Sequence, residues 1–336
     1  MTNLVYIGNK LTNTGKTATT IDTLGKGLED AGFKVSYASS YTNIVFRFID
    51  MLWTVFKHRK ATDYVLIDTY STLNFYYAYA VSQLCRMLKL KYIPILHGGN
   101  LSNRLKNNPK LSASIFNNAF VNSAPSNFLK VQFKNHGYTN VTVIPNSIAI
   151  QQYPFKQRTI DHVGLLWVRS FSELYNPKLA VSILHALKLK GVDATLCMIG
   201  PDNDGSLNTT QTYAKSLGVF VDFPGKLSKA DWIACAKDYN VFINTTNFDN
   251  TPVSVIEAMA LGLPIVSTNV GGLPYLIEGS KNGVLVAPEA IDAFVTAILD
   301  YKDKPEFLQS VVKQARSTAE SFDWEVIKQQ WLLTLK

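Results

Sequence analysis

The chain predicts an α/β protein of two doubly wound, parallel-sheet domains, and three observations carry that expectation. Short apolar strands alternate with helical stretches, the alternation runs as two successive series, and a polar stretch containing Pro154, residues 150–159, separates them. A length of 336 residues gives each domain enough chain for its own core. The first series opens with a strand at 4–8, a helix at 19–31 ending at Gly32 and a strand at 34–38. Apolar runs at 64–68, 92–96, 120–122 and 141–144 follow. After Pro145 the pattern restarts with strands at 164–168, 194–199, 219–223, 241–244, 265–267 and 284–286 and a helix at 177–189. Residues 322–331 read as an amphipathic helix. The expected boundaries are a first domain at 1–155, a second at 156–318 and a C-terminal helix at 319–336. The hinge is placed within 150–159.

The richest stretch runs from Asn247 to Pro264. Thr251 is expected to cap a helix, Pro252 to take its first position, and Gly262 with Pro264 to stop it. Val253, Val255, Ile256, Ala258, Met259, Ala260 and Leu261 leave that helix almost no polar face, so Glu257 falls on an apolar stripe. A buried carboxylate needs donors, which a neighbouring loop or the hydroxyls of a ligand can supply. The strand before the helix makes this a strand–loop–helix unit whose helix N-terminus suits an anion.

Asp249, seven intervening residues and Glu257 resemble the Glu-x7-Glu signature of retaining, nucleotide-sugar-dependent glycosyltransferases of family 4, also called glycosyl transferases group 1. The resemblance continues through Ala258–Ser267 to Gly271-Gly272. It implies the GT-B fold: two Rossmann-like domains with a cleft between them and a C-terminal crossover helix packing back on the first. Transfer of a hexosyl or related sugar from a nucleoside-diphosphate sugar to a glycan or lipid-linked acceptor, with retention, without a metal and with no separate cofactor, is what the resemblance implies for activity. The first domain would bind the acceptor and the second the donor, in polysaccharide biosynthesis. Glu257 would hold the ribose, Asp249 and His97 would border the sugar, and Thr251 and Val253 would line the nucleotide site. Gly225 and Lys226 would lie near the base. Here the first acid is Asp rather than Glu, which keeps the charge and shortens the reach by a methylene.

Arg169, just after the strand at 164–168, matches the family arginine that neutralises the diphosphate, a task suited to a permanently charged, forked donor. The lysine that the family carries shortly afterwards is missing, and Lys178 or Lys226 could replace it, or backbone amides could suffice. His97 ends a strand before Gly98-Gly99. Val143–Ser147 resembles the family segment that closes the first domain. A nucleotide-sugar epimerase of the same fold and a catalytically silent sugar-binding or scaffold protein also stay open.

Two motifs are read as decoys. Lys10–Thr17 nearly matches a phosphate-binding loop, but Lys10 stands where its first glycine should be. Asp202-Asn-Asp204 mimics a metal-binding Asp-x-Asp, yet it follows a strand where turn residues belong. Cys85, Cys197 and Cys235 have no ligand spacing and read as reduced core thiols of a cytoplasmic protein. No apolar run approaches a membrane span and Met1–Gly8 shows no signal pattern.

Charge is lopsided. Residues 1–155 hold 16 Lys/Arg and 6 Asp/Glu, a net of +10, against 17 and 19, a net of −2, for the rest. A basic domain faces an anionic partner. No nucleic-acid motif is present. Residues 46–60 combine bulky apolar side chains, Trp53 and a basic end, which fits a helix lying on the inner face of a membrane as well as a domain helix matched to its own dipole.

Overall fold

The computed structural model describes residues 1–11, 19–98 and 100–336. The chain divides into two compact units, Met1–Ser147 with Trp324–Lys336, and Ile148–Asp323. The crossing points fall at Ser147/Ile148 and Asp323/Trp324, so residues 150–159, expected as a hinge, lie wholly inside the second unit. The cause is packing: Ile148 and Tyr153 are buried in the second unit's core with Ala315 and Ala319.

In the first unit the strands are β1 (Asn3–Ile7), β2 (Lys34–Ala38), β3 (Tyr64–Thr69), β4 (Lys91–Leu96), β5 (Asn122–Ala124) and β6 (Val141–Val143). Its helices are α1 (Thr20–Asp30), α2 (Ile44–His58), α3 (Asn74–Met87), α4 (Leu101–Asn107), α5 (Pro109–Phe116) and α6 (Asn127–Asn135). The sheet order is β2-β1-β3-β4-β5-β6, and every pairing is parallel. Such strands are covered on both faces, and β3 (YVLIDT) is buried along its whole length, Asp68 included. The expected strand at 120–122 is shifted to Asn122–Ala124. Phe120 is exposed and the small residues Asn122, Ser123 and Ala124 are buried instead, so the apolar run marks the approach and not the strand.

The second unit contains β7 (Val163–Val168), α7 (Pro177–Leu189), β8 (Ala194–Ile199), α8 (Ser206–Ser216), β9 (Asp222–Gly225), α9 (Lys229–Cys235) and β10 (Val241–Asn244). It continues with α10 (Val253–Ala260), β11 (Ile265–Thr268), β12 (Val284–Val286), α11 (Ile291–Asp303) and α12 (Pro305–Glu320). The parallel order β12-β11-β10-β7-β8-β9 reverses between β7 and β10. In open α/β sheets ligands bind beyond the carboxyl ends of strands at such a reversal. One face of the sheet is covered by α7, α8 and α11 through Leu184, Ala214 and Phe294, the other by α9 and α10 through Trp232 and Met259. The strand expected at 219–223 begins at Asp222 and includes Pro224, which an edge strand tolerates because its outer side needs no donor.

The last helix, α13 (Trp324–Thr334), belongs to the first unit. Ile327, Trp331 and Leu335 enter its core with Leu4, Tyr6, Leu28 and Leu66, and Tyr64 Oη donates to the Lys336 carbonyl at 2.7 Å.

Candidate functional site

Two chain reversals build the site of the second unit. Arg169 directly follows β7, its amide donating to the Ile199 carbonyl at 3.0 Å and so extending the ladder. The loop after β10 carries Asp249 and leads into α10. Trp167 Nε1 donates to Thr245 Oγ1 at 3.0 Å and ties the two strand ends together. Arg169 Nη2 and Asp249 Oδ2 form an ion pair, and the Arg169 guanidinium lies 4.3 Å from the Tyr175 ring centre. Burial raises the Asp249 carboxyl above the usual carboxylate range, although Arg169 pulls it the other way. The glycine pair expected after β11 has a geometric reason to be there. Gly272 donates to the Asp249 carbonyl at 2.9 Å, and a Cβ on it would stand 1.8 Å from the Asn250 carbonyl oxygen.

Thr251 does not cap α10. Pro252 is the N-cap residue and Val253 the first helical one, one position later than expected, and no side chain caps the helix. The extended backbone of Pro252 (ψ 117°) is the immediate cause, since a residue at the first helical position would carry a helical ψ. Val255 and Ile256 donate to the Pro252 carbonyl, and the two amides before them, Val253 and Ser254, keep their donor capacity. Two polar atoms nearby are buried without a hydrogen-bond partner among the described residues: Arg169 Nε and Ser254 Oγ. An orphaned guanidinium N–H and a bare helix N-terminus together suit an oxyanion.

Glu257 sits one turn further along α10 and is buried. Its Oε1 accepts from Tyr153 Oη at 2.7 Å and pairs with Lys229 Nζ. Burial first, then the adjacent Glu257 charge, push the Tyr153 phenol upward, so it remains a donor. The C-terminal end of α10 is held by two arginines. Arg316 Nη1 donates to the Ala260 carbonyl at 2.6 Å, Arg158 Nη2 to that of Leu261 at 3.3 Å. Burial lowers Arg158 to about 10. Beyond Leu261, Gly262 ends the helix at φ 76°, a conformation a side chain disfavours.

The other expected residues are scattered. Lys178 and Lys226 are exposed, and among the described residues neither forms an ion pair with Asp249 or Glu257. Gly225 ends β9 at φ 77° and accepts from the Gly200 amide at 2.9 Å; Lys229 begins α9 four residues later. Asp202 Oδ1 accepts from the Gly205 amide at 3.0 Å and Asp204 Oδ1 from the Ser206 amide at 3.1 Å. These bonds make the segment the turn into α8, and the Ser206 side chain is the main cause that lowers Asp204 to about 2. Among the described residues no three His, Cys, Asp or Glu side chains gather to hold a metal. All three cysteines are free thiols.

His97 lies in the first unit, at the end of β4. Its Nε2 is 2.8 Å from Asp68 Oδ1, which also accepts from Tyr6 Oη at 3.1 Å, and Tyr70 stacks on its ring at 4.6 Å. The second oxygen, Asp68 Oδ2, is buried without a partner among the described residues. The near-match to a phosphate-binding loop falls largely on residues 12–18, outside the described residues, as does Gly99. Tyr153, Lys229 and Asp68 carry no motif of their own. A basic residue opening the helix after the fourth-last strand was the one available hint of Lys229.

This geometry defines a doubly wound α/β unit, which known proteins share. The family model described as Glycosyl transferases group 1 matches residues 156–318, nearly the whole second unit. The chain is 24% identical over 260 residues to the putative colanic acid biosynthesis glycosyltransferase WcaL of Salmonella typhimurium, covering 73% of this chain and 64% of that protein. It thus spans less than two thirds of that relative's length. Anabaena HepE, solved in complex with UDP and glucose, superposes with a TM-score of 0.78 at 16% identity, covering 100% of this chain and 99% of that one. Sucrose-phosphate synthase from Thermosynechococcus elongatus gives a TM-score of 0.79 at 16% identity, over 99% and 98% of the two chains. These likenesses establish the fold, which is the GT-B fold expected from the sequence.

Proposed function

We propose that the protein is a glycosyltransferase that moves a hexosyl or related sugar from a nucleoside-diphosphate sugar to a glycan or lipid-linked acceptor, with retention and without a metal. The observation that carries this reading is the Arg169–Asp249 pair at the sheet reversal, with Arg169 Nε buried and unpartnered among the described residues and Asp249 in the loop that leads to the uncapped N-terminus of α10. The match of the second unit to a glycosyltransferase family supports it, as does the name of the WcaL relative, which points to polysaccharide biosynthesis.

In this reading the diphosphate lies against Arg169 and the α10 amides, and Glu257 accepts from the ribose hydroxyls. The bond from the sugar's anomeric carbon to the diphosphate breaks, a bond to the acceptor oxygen forms, and the acceptor proton passes to the leaving diphosphate. Fixed donors aimed at the developing charge supply the largest share of such catalysis. His97, oriented by Asp68 and Tyr70, and the rest of the first unit serve the sugar and the acceptor. Lys229 is the cation that balances the Glu257 carboxylate.

The test is a thermal-shift screen of nucleoside diphosphates and their sugars, followed by an acceptor-dependent release assay with the best donor. A ligand at about one hundred times its Kd stabilises by about 2.7 kcal/mol, a readily measured shift. Chelator should leave turnover unchanged. Turnover that vanishes and returns only with Mn²⁺ or Mg²⁺ contradicts the metal-free mechanism, and conversion of the donor to its epimer without any acceptor favours an epimerase.

A further inference from the structure

We propose that the outward face of α2 with the adjoining end of α3 is a docking surface for an anionic lipid bilayer. Val45, Ile49, Trp53 and Phe56 recur along α2 at helical spacing and are 59%, 55%, 58% and 40% exposed, while Met51, Thr54 and Val55 on the opposite side are buried. Ile44 and Phe46 extend the apolar surface at the start of the helix. Beside it α3 contributes Met87, 81% exposed, and Ile49, Trp53, Phe56, Leu84 and Met87 line one shallow groove. Soluble proteins expose single apolar side chains routinely, but a contiguous set of this kind marks an interaction surface.

Charge selects the occupant. Residues 44–60 and 74–89 carry six basic side chains (Arg47, Lys57, Arg59, Lys60, Arg86 and Lys89) and one acid (Asp50), six minus one giving +5. The Arg59 guanidinium lies 3.9 Å from the Phe56 ring centre, so charge and apolar surface are interleaved. The whole first unit holds 18 Lys/Arg and 7 Asp/Glu, a net of +11, whereas the second holds 15 and 18, a net of −3. A second copy docking through the same face would bring the same positive charge and be repelled. Anionic head groups above acyl chains match both properties at once, with Trp and Phe at the head-group level and Lys and Arg reaching phosphates. No helix among the described residues is long and apolar enough to cross a membrane, so this attachment is in the plane of the surface. It does not rest on the glycosyltransferase reading.

Sedimentation of the full chain with phosphatidylcholine vesicles, with and without phosphatidylglycerol, tests the proposal. Binding should require the anionic lipid and weaken as salt rises. Ile49→Ser with Trp53→Ser should lower the bound fraction by about tenfold or more at moderate salt. Lys57→Gln with Lys60→Gln should flatten the salt dependence. These side chains are exposed, so unchanged melting temperatures will show that the variants fold. A wild type that ignores vesicle charge overturns the proposal, as does an Ile49/Trp53 variant that binds like wild type. A concentration-dependent dimer lost in that variant, without vesicle binding, would make the face a contact between copies and overturn it too.

Discussion

Glu257 is held before any ligand arrives, and that governs what its substitution will do. Tyr153 and Lys229 both donate to Oε1, and no donor among the described residues bonds Oε2. In Glu257→Gln the amide oxygen can still accept from Tyr153, so the fold should persist while a charge-assisted bond to ribose is lost. We expect nucleoside and nucleoside diphosphate binding to weaken alike, by about 1.5–3 kcal/mol, measured by titration calorimetry. Lys229→Met should cost about 1–3 kcal/mol of stability in chemical denaturation, because it leaves the buried Glu257 carboxylate with Tyr153 as its donor among the described residues. Loss of binding to the diphosphate but not the nucleoside in Glu257→Gln would move that residue away from the ribose. The burial of Glu257 was legible from the apolar helix around it. Its partners were not, since Tyr153 lies 104 residues away in a stretch that reads as a polar linker.

At the scale of elements, the apolar pattern located most strands, because parallel strands buried on both faces read as unbroken apolar runs. It failed where small or polar residues do the pairing, as in β5 (Asn122–Ala124), and where an edge strand tolerates proline, as in β9 (Asp222–Gly225). The start of α10 was misplaced by one residue because sequence pattern cannot distinguish a proline at the cap from one at the first turn. That single step bares the helix N-terminus on which the proposed anion site depends. The attachment of α13 is equally physical: Trp331 is 2% exposed among core side chains of the first unit. Trp331→Ala should therefore destabilise by about 3–5 kcal/mol, the usual cost of removing a large buried aromatic. Hydrogen exchange should show the loss in β1 and β3 (Asn3–Ile7 and Tyr64–Thr69). Equal loss in β7 and β10, with none in β1, would show that α13 does not carry the first unit's stability.

For the whole molecule, two sheets of one architecture carry different chemistry. The second brings Arg169 and Asp249 to its reversal point, and the first brings Asp68 and His97 to its strand ends, with its basic residues and the exposed face of α2 outside. The charge asymmetry was visible in the sequence. The side on which the apolar residues of α2 emerge was not, because a helix facing solvent and one facing a core share a periodicity.

If Arg169 takes the charge of a nucleoside diphosphate, titration calorimetry of Arg169→Ala against wild type will show it. Affinity for the free nucleoside should stay within about twofold, while affinity for the diphosphate should fall by about 1.5–3 kcal/mol, the loss of bonds to a charged group. Equal affinity of wild type and variant for the diphosphate, measured alongside an unchanged melting temperature, would contradict it.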